Sequence, residues 1–563
     1  MRRFFAITLA GLVAGHAAAQ DDLAALTRKA RELEDRGQTD AAVKLFAQAV
    51  NRPDSPAVGD ILDRYCSMLL RTGRYADAVP VAERLLKIRL AAAGGDGIQA
   101  AGARNQLALA YKLSGRVREA ISLYEQTLAV FQRNKDVANS PATATVMHNL
   151  AAAYATAGRV ADAERLYQAG LDLAGRAPNG DKFLPQGWHN LGTFYADEGR
   201  YAEAAALLRK ALAAKEKDLG PKDPNVAVTL INLAGVLLTN GDAVEAEHLL
   251  NRALEILKAT DNETHPYAII ARNMLAEAYR GRGRPAEAEK LARATLKQLE
   301  DKLGTADNVK SGVEIAGCLV RVASALKDQV KYQDAEAAAR RAVALREKYL
   351  EPGHSDTVAT WTLLAGILRA SGRLDEAEML YRKAKSATDS RFGKAHPKAA
   401  EAARDLAVCL TEKGDFAVAE ALLADARRAL AGDKKADPFA SRRLDHATAE
   451  LYRETGRLDE AEPLYYASVK AAVEKFGPAH PLTTSWAYDA CLFLIAKSRN
   501  EEAHKLVTAV LAGREKTLGK NHPATIATLE LLSEVKEQLG GHAQAEAVVR
   551  EALHRAGDTD PMV

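Results

Sequence analysis

The residues of this 563-residue chain that could carry out acid–base or metal chemistry are few and isolated. Glu245 and His248 form a single ExxH pattern, without the second copy that a two-metal helical bundle requires. His446 and Glu450 are one helical turn apart, so they would share a helix face, but the sequence indicates no third ligand near them. We therefore expect no metal site and no catalytic residues.

The motifs that place reactive groups in common enzyme folds are also absent from the sequence. It contains no HExxH, no GxSxG and no Walker-type phosphate loop. The glycine-rich GGDG at residues 94–97 lies between two predicted helices and does not follow a strand, so we interpret it as a linker. The sequence therefore predicts a non-enzymatic protein without a cofactor.

A His-Pro dipeptide recurs along the chain and could be read as a repeated metal ligand. It occurs at His265-Pro266, His396-Pro397, His480-Pro481 and His522-Pro523. The same phase elsewhere carries Ser-Pro or Asp-Pro, at Ser55-Pro56, Ser140-Pro141 and Asp223-Pro224. Ser and Asp are preferred helix N-caps, and Pro is tolerated in the first helical turn. We predict that the His side chains are N-caps as well.

The first 19 residues differ in composition from the rest of the chain. Arg2-Arg3 precede an apolar run from Phe4 to Val13, and Ala17-Ala18-Ala19 follow it, which is typical of a cleavable secretory signal. The run is too short for an uncleaved membrane anchor. We predict a signal peptide over residues 1–19 and a periplasmic or secreted protein.

Charge and cysteine usage limit the remaining possibilities. Without Arg2 and Arg3 the chain has 75 basic and 74 acidic residues, so nucleic acid is not expected as a partner. No later segment is apolar enough for a membrane span. The four cysteines, Cys66, Cys318, Cys409 and Cys491, are far apart in the chain, and we expect four buried free thiols.

Helical hairpins with small residues at fixed positions recur throughout the chain. The first helix of each hairpin ends at a residue that we call the marker: Gly37, Gly73, Gly115, Gly158, Gly199, Gly241, Gly283, Val330, Gly372, Gly414, Gly456, Ser498 and Gly540. Eight of the twelve intervals are 42 residues. Ala always stands five residues after the marker, and Ala, Gly, Ser or Cys seven residues before it. Thirteen hairpins that pack only against their neighbours predict an all-α solenoid.

The pattern resembles the tetratricopeptide repeat in the 42-residue form of kinesin light chains, over about residues 22–555. The resemblance lies in NLA at 149–151 and 232–234, in GR-x-x-[DE]-A at the turn, and in tyrosines near the end of the first helix: Tyr111, Tyr154, Tyr195 and Tyr279. It implies a right-handed superhelix of about thirteen antiparallel hairpins, whose first helices line a concave groove that binds peptides or proteins. Because a signal peptide is predicted, the closer analogy is an exported bacterial scaffold.

The resemblance also implies groove positions ten, nine, six and three residues before the marker. In repeats three to seven, polar residues stand there: Asn105, Gln106, His148, Asn149, His189, Asn190, Asn232 and Asn273. Carboxamides can donate to and accept from the backbone of an extended peptide. The alternative is that these amides bond only within and between neighbouring helices.

Later repeats carry basic residues at or near the same positions. These are Arg280, Arg321, Lys327, Arg369, Arg404, Arg443 and Arg453. They could bind the carboxylates of an acidic segment or a chain terminus. The alternative is a solvated face in which Glu277, Glu412, Glu450 and Glu454 balance the charge.

Two departures from the repeat complete the analysis. The interval from Gly283 to Val330 has five extra residues, which predicts an extra helical turn or loop around Thr305 to Ser311 and a seam between residues 20–303 and 304–555. The last helix is followed only by a short tail, residues 556–563, so Val548, Val549 and Leu553 are expected to be partly exposed. The alternative is therefore that the protein is an enzyme-activating or envelope-assembly subunit that associates through this end. Self-association through the same end is expected as well.

Overall fold

The computed structural model describes residues 24–33, 38–92, 97–259, 266–303, 309–351, 353–394, 396–431 and 438–557. The predicted signal peptide, Gly37 and most of the GGDG linker lie outside these ranges. Within them the regular structure is helical, without strands, and the helices form successive antiparallel hairpins. The predicted all-α solenoid is confirmed.

The helices alternate between the first and second member of a hairpin. The first helices are α1 (24–33), α3 (Pro56–Arg71), α5 (Ile98–Leu113), α7 (Pro141–Thr156), α9 (Leu184–Asp197), α11 (Pro224–Asn240), α13 (Pro266–Gly281), α15 (Val309–Asp328), α17 (Ser355–Ala370), α19 (Pro397–Lys413), α21 (Pro438–Glu454), α23 (Pro481–Ala496) and α25 (Pro523–Gln538). The second helices are α2 (Thr39–Val50), α4 (Tyr75–Ala92), α6 (Val117–Arg133), α8 (Val160–Arg176), α10 (Tyr201–Leu219), α12 (Ala243–Ala259), α14 (Pro285–Leu303), α16 (Tyr332–Tyr349), α18 (Leu374–Phe392), α20 (Phe416–Ala431), α22 (Leu458–Phe476), α24 (Asn500–Thr517) and α26 (His542–Gly557). A 3₁₀ turn, Gly180–Lys182, precedes α9.

The marker residue reverses the chain between the two helices of a hairpin. Every described marker has a positive φ, and among the glycine markers φ runs from 71° at Gly283 to 91° at Gly241. Val330 and Ser498 adopt the same conformation, with φ of 63° and 57°, although they carry a Cβ. The turn geometry is therefore fixed by the packing of the two helices, and Gly is the residue that meets it without strain.

The small positions permit close helix contact, as the sequence predicts. The Ala five residues after the marker is buried in the described repeats, as Ala78, Ala246 and Ala419 illustrate. The residue seven before the marker is buried too, and Cys66 and Cys491 take this place without any exposed surface. All four cysteines are buried free thiols, as expected.

The His-Pro positions start helices. Nδ1 of His396, His480 and His522 accepts a hydrogen bond, 3.1 Å long, from the amide two residues later. His354, which no Pro follows, caps α17 in the same way at 3.2 Å. The N-cap interpretation is therefore confirmed at these positions, whereas His265 lies outside the described residues.

The chain forms two compact units, unit 1 up to Phe194 and unit 2 from Tyr195. They do not divide at residue 304, and a seam there stays a prediction. Part of the long interval after Gly283 extends α15, whose 20 residues compare with 16 in α13 and in α17. Residues 304–308 lie outside the described ranges.

Within each unit the first helices of successive hairpins contact one another. Such contacts join α3 to α5 and α5 to α7 in unit 1, and α11 to α13 and α19 to α21 in unit 2. Successive second helices in the described ranges make no comparably close contact. The first helices therefore lie on the inner side of each stack, where the sequence places the groove.

Unit 2 also has contacts between repeats that are distant in sequence. A Cβ on Gly283 would stand 1.8 Å from the carbonyl oxygen of Thr517, and a Cβ on Gly241 would stand 2.1 Å from the Phe476 ring. Nε2 of His522 donates to the carbonyl oxygen of Asp328 across 3.0 Å. Two edges of unit 2 therefore meet directly, and nearest-neighbour packing alone does not account for its stability.

The last described helix leaves apolar side chains in contact with solvent. Val549 is 42% exposed and Leu553 is 67% exposed, whereas Val548 is half-buried. The predicted partial exposure of this helix is confirmed. Association through it stays a prediction.

Candidate functional site

Carboxamide side chains of unit 1 lie half-buried on the inner first helices. Nδ2 of Asn149, on α7, donates to Oδ1 of Asn105, on α5, across 3.3 Å. Gln106 donates to the Asp63 carboxylate and, across 3.3 Å, to Oγ of Ser67. In both cases the residue nine positions before a marker contacts a residue of the preceding repeat, ten positions before the marker of that repeat. The amides therefore bridge adjacent repeats, as the alternative interpretation expects.

Asn190 makes its contact within its own helix. Its Oδ1 accepts from Nε2 of Gln186, one turn earlier on α9, across 2.7 Å. The Nδ2 protons of such an amide are separate donors, so the side chain keeps hydrogen-bonding capacity. Asn190 is therefore a better surface candidate than the amides that bridge two repeats.

The two histidines predicted for the groove are buried instead. His148 is 2% exposed, and its ring contacts the rings of Tyr167 and Phe183 edge-on, both at 4.9 Å. Its Nε2 donates to the carbonyl oxygen of Tyr167 across 3.0 Å, and burial lowers the pKa of His148 to about 4. His189 is also buried. The first helices turn this position toward the partner helix, so the expectation of an exposed histidine there is wrong.

The amides of unit 2 are half-buried on α11 and α13. Asn273 lies close enough to the Cys318 thiol, on the next first helix, to influence its pKa, and its Oδ1 is buried without a hydrogen-bond partner. Asn232 lies on α11 and is half-buried as well. A role of both side chains in a groove stays a prediction.

The basic residues of unit 2 are mostly paired within the protein. Nε of Arg280 is 2.5 Å from Asp328, and its Nη1 is 2.9 Å from Glu277. Nη1 of Arg321 is 2.8 Å from the same Glu277. Burial opposes ionisation of Glu277, but Arg280 and Arg321 outweigh it and hold the pKa of this carboxyl below its usual value.

The later basic residues follow the same pattern. Arg369 donates to Glu412, Arg404 to Asp405 across 2.6 Å, and Arg453 to Glu450 and Glu454 across 3.0 and 2.6 Å. Arg443 lies over the Phe439 ring, with its guanidinium carbon 5.6 Å from the ring centroid. All four glutamates that the sequence names as balancing charges are thus in use, which favours the solvated, balanced face over a free basic clamp.

Lys327 is the exception among these residues. It has no ion pair within 4 Å in the described part of the chain, and burial, with Arg369 and Arg280 nearby, lowers the pKa of its ammonium group. Its Nζ lies against α17, where a Cβ on Gly366 would stand 3.2 Å from it. If a carboxylate binds on this face, Lys327 is its best-placed partner.

Sequence reasoning missed one group of ionisable residues. His446 and Glu450 on α21 do have a third neighbour, Asp489 on α23, whose Oδ2 is 3.1 Å from Nε2 of His446. His446 stands ten residues before its marker and Asp489 nine residues before the next one. Asn105 and Asn149 are related in the same way. This repeated register is the signal that could have identified Asp489.

The stacked hairpins place this protein in the class of helical-repeat solenoids. The family model of the tetratricopeptide repeat matches residues 58–133, 184–259, 227–301, 314–387, 356–431 and 484–556, and a second model of the same repeat matches 143–177 and 449–482. The chain therefore belongs to the tetratricopeptide repeat family. Proteins of this family generally act as non-enzymatic scaffolds that bind other proteins.

Matches were found among solved structures but not among curated sequences. A structure of the nearly identical TPR-like repeats of a kinesin light chain protein from Podosopora anserina is 24% identical, covers 36% of this chain and 95% of its own, and has a TM-score of 0.29. A single-substitution variant of that protein is 24% identical over 36% of this chain and 94% of its own, with a TM-score of 0.30. No curated protein matches the chain.

Among the described residues no helix combines the length and the apolar character that a bilayer crossing requires.

Proposed function

We propose that this protein is a scaffold that binds a segment of a partner protein along the inner face of its first helices. The observation that carries the proposal is a half-buried row of amides on this face in each unit, Asn105, Asn149 and Asn190 in unit 1 and Asn232 and Asn273 in unit 2. Asn105 and Asn149 hold each other across adjacent repeats and Gln186 holds Asn190, so little side-chain ordering is required when a peptide binds in unit 1. Donors and acceptors at intervals of one repeat suit an extended backbone.

A triple alanine substitution tests this proposal. Peptides are first selected on the wild-type protein, and their binding to the Asn149→Ala/Asn190→Ala/Asn232→Ala variant is then measured by fluorescence anisotropy. We expect the binding of a peptide held by Asn149 and Asn190 to weaken by roughly thirtyfold and that of a peptide held by Asn232 by roughly fivefold, because each lost hydrogen bond contributes about 1 kcal/mol. A thermal melt close to that of the wild type would show that the fold is intact.

A matched control separates the inner face from the general loss of surface amides. Gln126, Gln168 and Asn251 are exposed on the second helices α6, α8 and α12. Their triple alanine variant should bind the selected peptides as the wild type does. Unchanged binding by the inner-face variant would exclude the amides as the site.

An acidic partner segment is the narrower form of the proposal, and Lys327 supports it. Its ammonium group lacks the internal carboxylate that Arg280, Arg369 and Arg453 have. Lys327→Met should weaken the binding of Asp- or Glu-containing peptides and remove part of its salt dependence. The double variant Arg369→Glu/Arg453→Glu should also weaken the binding of these peptides. It removes the ion-pair partners of Glu412 and Glu450 as well, so its effect is less specific. Equal binding of acidic and neutral peptides by wild type would contradict the idea.

The second candidate function is assembly through α26, favoured by the exposure of Leu553. If this helix is an interface, light scattering coupled to size exclusion should show a dimer that Leu553→Glu dissociates.

We also propose that the protein is exported, because a signal peptide is predicted over residues 1–19. Sequencing the amino terminus of the mature protein tests it, and a chain that still begins at Met1 would contradict it.

A further inference from the structure

The cluster of His446, Glu450 and Asp489 in unit 2 has the composition of a metal site. His446 and Glu450 are one turn apart on α21, and Asp489 approaches them from α23. One ligand atom from each residue lies within 4.8 Å of the other two, an arrangement found at this one place among the described residues. Ligand atoms around a tetrahedral zinc ion are about 3.3–3.6 Å apart, which follows from bonds of about 2.0–2.2 Å. Only small side-chain movements therefore separate the cluster from that geometry.

The neighbouring side chains hold the three groups in place. The His446 ring stacks on Trp486 at 4.6 Å and meets the Tyr465 ring edge-on at 5.8 Å. Tyr465 donates its hydroxyl hydrogen bond to one oxygen of Glu450, and Arg453 donates to the other across 3.0 Å. Metal-binding carboxylates and histidines are commonly oriented by such outer contacts.

Burial gives a second, independent indication of a ligand. His446 is 8% exposed, and its Nδ1 is buried without a hydrogen-bond partner. A buried polar atom left without a partner is costly, which leaves the imidazole with unused binding capacity. His446 is therefore a buried and incompletely hydrogen-bonded imidazole beside two carboxylates.

The charges around the cluster also favour a cation. Glu450 and Glu454 pair with Arg453, and Arg514 is close enough to interact with Asp489. These three carboxylates thus have two guanidinium groups as partners, and Glu450 and Asp489 are close enough to repel each other. A cation between them would relieve that repulsion. Arg453 keeps Glu454, at 2.6 Å, if Glu450 turns toward a metal.

We propose that His446, Glu450 and Asp489 bind one divalent zinc ion, with a fourth position open to water. An imidazole with two carboxylates suits zinc better than magnesium or calcium, which prefer oxygen ligands alone. The site ties α21 to α23 and so stiffens the inner face between two adjacent repeats. It does not depend on partner binding, and its test is separate from that of the scaffold function.

Another histidine of the chain shows what the carboxylates contribute. His148 occupies the same repeat position as His446, ten residues before its marker, and is equally buried. Its Nε2 donates to a backbone carbonyl, and its neighbours are the rings of Tyr167 and Phe183. No carboxylate replaces Asp489 there: Asn190 stands nine residues before the next marker. A histidine at this repeat position is therefore not by itself a metal ligand, and the two neighbouring carboxylates distinguish His446 from His148.

Zinc titration of the full-length protein tests the proposal. The protein is stripped with a chelator and dialysed, and zinc chloride alone is added in competition with a chromophoric chelator. We expect one zinc ion per chain with a dissociation constant in the micromolar range or below. His446→Ala and Asp489→Asn should each weaken binding at least about tenfold, whereas His248→Ala, which removes an exposed histidine from α12, should not change it.

Trp486 provides a local readout that an adventitious ion would not reproduce. In a Trp188→Phe/Trp361→Phe background, cobalt should quench the remaining fluorescence at a one-to-one ratio, because Trp486 stacks on His446. Asp489→Asn is nearly isosteric, and a zinc-free melt equal to wild type shows that it folds. No stoichiometric zinc in the wild type, or equal weakening by His248→Ala and Asp489→Asn, would overturn the proposal.

Discussion

Units 1 and 2 use the same hairpin but connect neighbouring hairpins differently. Six residues after the marker, unit 1 has the apolar side chains Val43, Val79 and Ile121, with Glu164 as the exception. In unit 2 the same position is a glutamate in six consecutive repeats: Glu247, Glu289, Glu336, Glu378, Glu420 and Glu462. Each of them forms an ion pair with a basic residue of the following repeat. One fold therefore has two kinds of connection between repeats, an apolar one and an ionic one.

The tyrosines near the turn show the same difference. In unit 1 the hydroxyl groups of Tyr111 and Tyr154 donate to Glu83 and Glu125 of the preceding repeat, both across 2.7 Å. In unit 2 Arg457 lies over the Tyr452 ring at 3.9 Å, as Arg116 and Arg159 lie over Tyr111 and Tyr154 in unit 1, but Arg457 itself donates to Glu420 of the preceding repeat. Here the arginine makes the hydrogen bond to the preceding repeat that the tyrosine hydroxyl makes in unit 1. Unit 2 should therefore respond more strongly to salt and to loss of carboxylate charge.

The largest effect is expected at a marker glycine of unit 2, because Gly241 and Gly283 also pack against distant repeats. Gly283→Ala places a Cβ in the left-handed region and 1.8 Å from the Thr517 carbonyl, and should destabilise unit 2 by about 3 kcal/mol or more. Gly158→Ala in unit 1 has the same φ class but open space around it, and should cost about 1 kcal/mol. Urea unfolding followed by tryptophan fluorescence measures both.

Tryptophan positions allow the two units to be followed separately. Trp188 is in unit 1, and Trp361 and Trp486 are in unit 2. If Gly283→Ala and Gly158→Ala destabilise to the same extent, the contact between Gly283 and Thr517 contributes nothing. The distinction between a marker that only turns the chain and one that also packs would then be lost.

Acid should affect unit 1 first, through His148. The folded pKa of about 4 is below the ordinary value of 6.5, so the unfolded state takes up a proton first as the pH falls. The stability of unit 1 should decrease from about pH 6.5 to pH 4 by up to about 3 kcal/mol, since each pKa unit corresponds to about 1.36 kcal/mol. His148→Gln should flatten this dependence, whereas the exposed His248→Gln should leave it unchanged.

Burial also lowers the pKa of His480 in unit 2, but the paired carboxylates of this unit add a loss of stability in a lower pH range. Pairing with basic residues outweighs burial and lowers the pKa values of Glu289 and Glu336, and it lowers that of Glu378 as well. Their contribution is present above the ordinary carboxyl pKa and is lost as the pH falls through the lowered values. Coincident acid transitions of the two units, followed by Trp188 and by Trp361 with Trp486, would contradict this separation.

A smaller, stabilising effect is expected at Val330. Its φ of 63° is unfavourable for a β-branched residue, and Val330 is 38% exposed. Val330→Gly should stabilise unit 2 by about 0.5–1 kcal/mol, the difference between the left-handed penalty and the greater chain entropy of glycine. Thermal denaturation measures it, and Val58→Gly, in a buried part of α3, should be destabilising instead. A loss of stability in Val330→Gly would mean that the side chain has a packing role.

The sequence predicts the features that depend on one repeat and its neighbour. The markers, the alanines five residues later and the His caps follow from local conformation and helix packing, so a single repeat contains the information. The proximity of Asp489 to His446 depends on the register between α21 and α23, which a reading of each motif alone does not include. The contacts of Gly283 with Thr517 and of His522 with Asp328 join repeats that are distant in sequence, and periodicity carries no signal for them.

The groove residues show the same limit in another form. Phase alone places His148 and Asn149 on the same exposed surface, yet the first is enclosed by Tyr167 and Phe183 while the second is half-buried. A rotation of the helix by a fraction of a turn decides between the two environments. Such a rotation is set by the size of the packed side chains, and the repeat pattern does not encode it.

The smallest effect is expected from a single ionic connection, and it tests the comparison most directly. Glu336 accepts hydrogen bonds from Arg340 of its own helix and Arg373 of the next repeat, at 2.7 and 2.8 Å. Glu336→Gln should destabilise unit 2 by about 0.5 kcal/mol at low salt, because such partly exposed pairs contribute about 0.2–1 kcal/mol. The difference should shrink at 1 M sodium chloride, where charges are screened over about 3 Å. Val79→Thr, at the same repeat position in unit 1, should cost a similar or larger amount that salt does not reduce, since its contacts are apolar. If both variants lose their effect at high salt, or neither does, the two units are connected by the same forces.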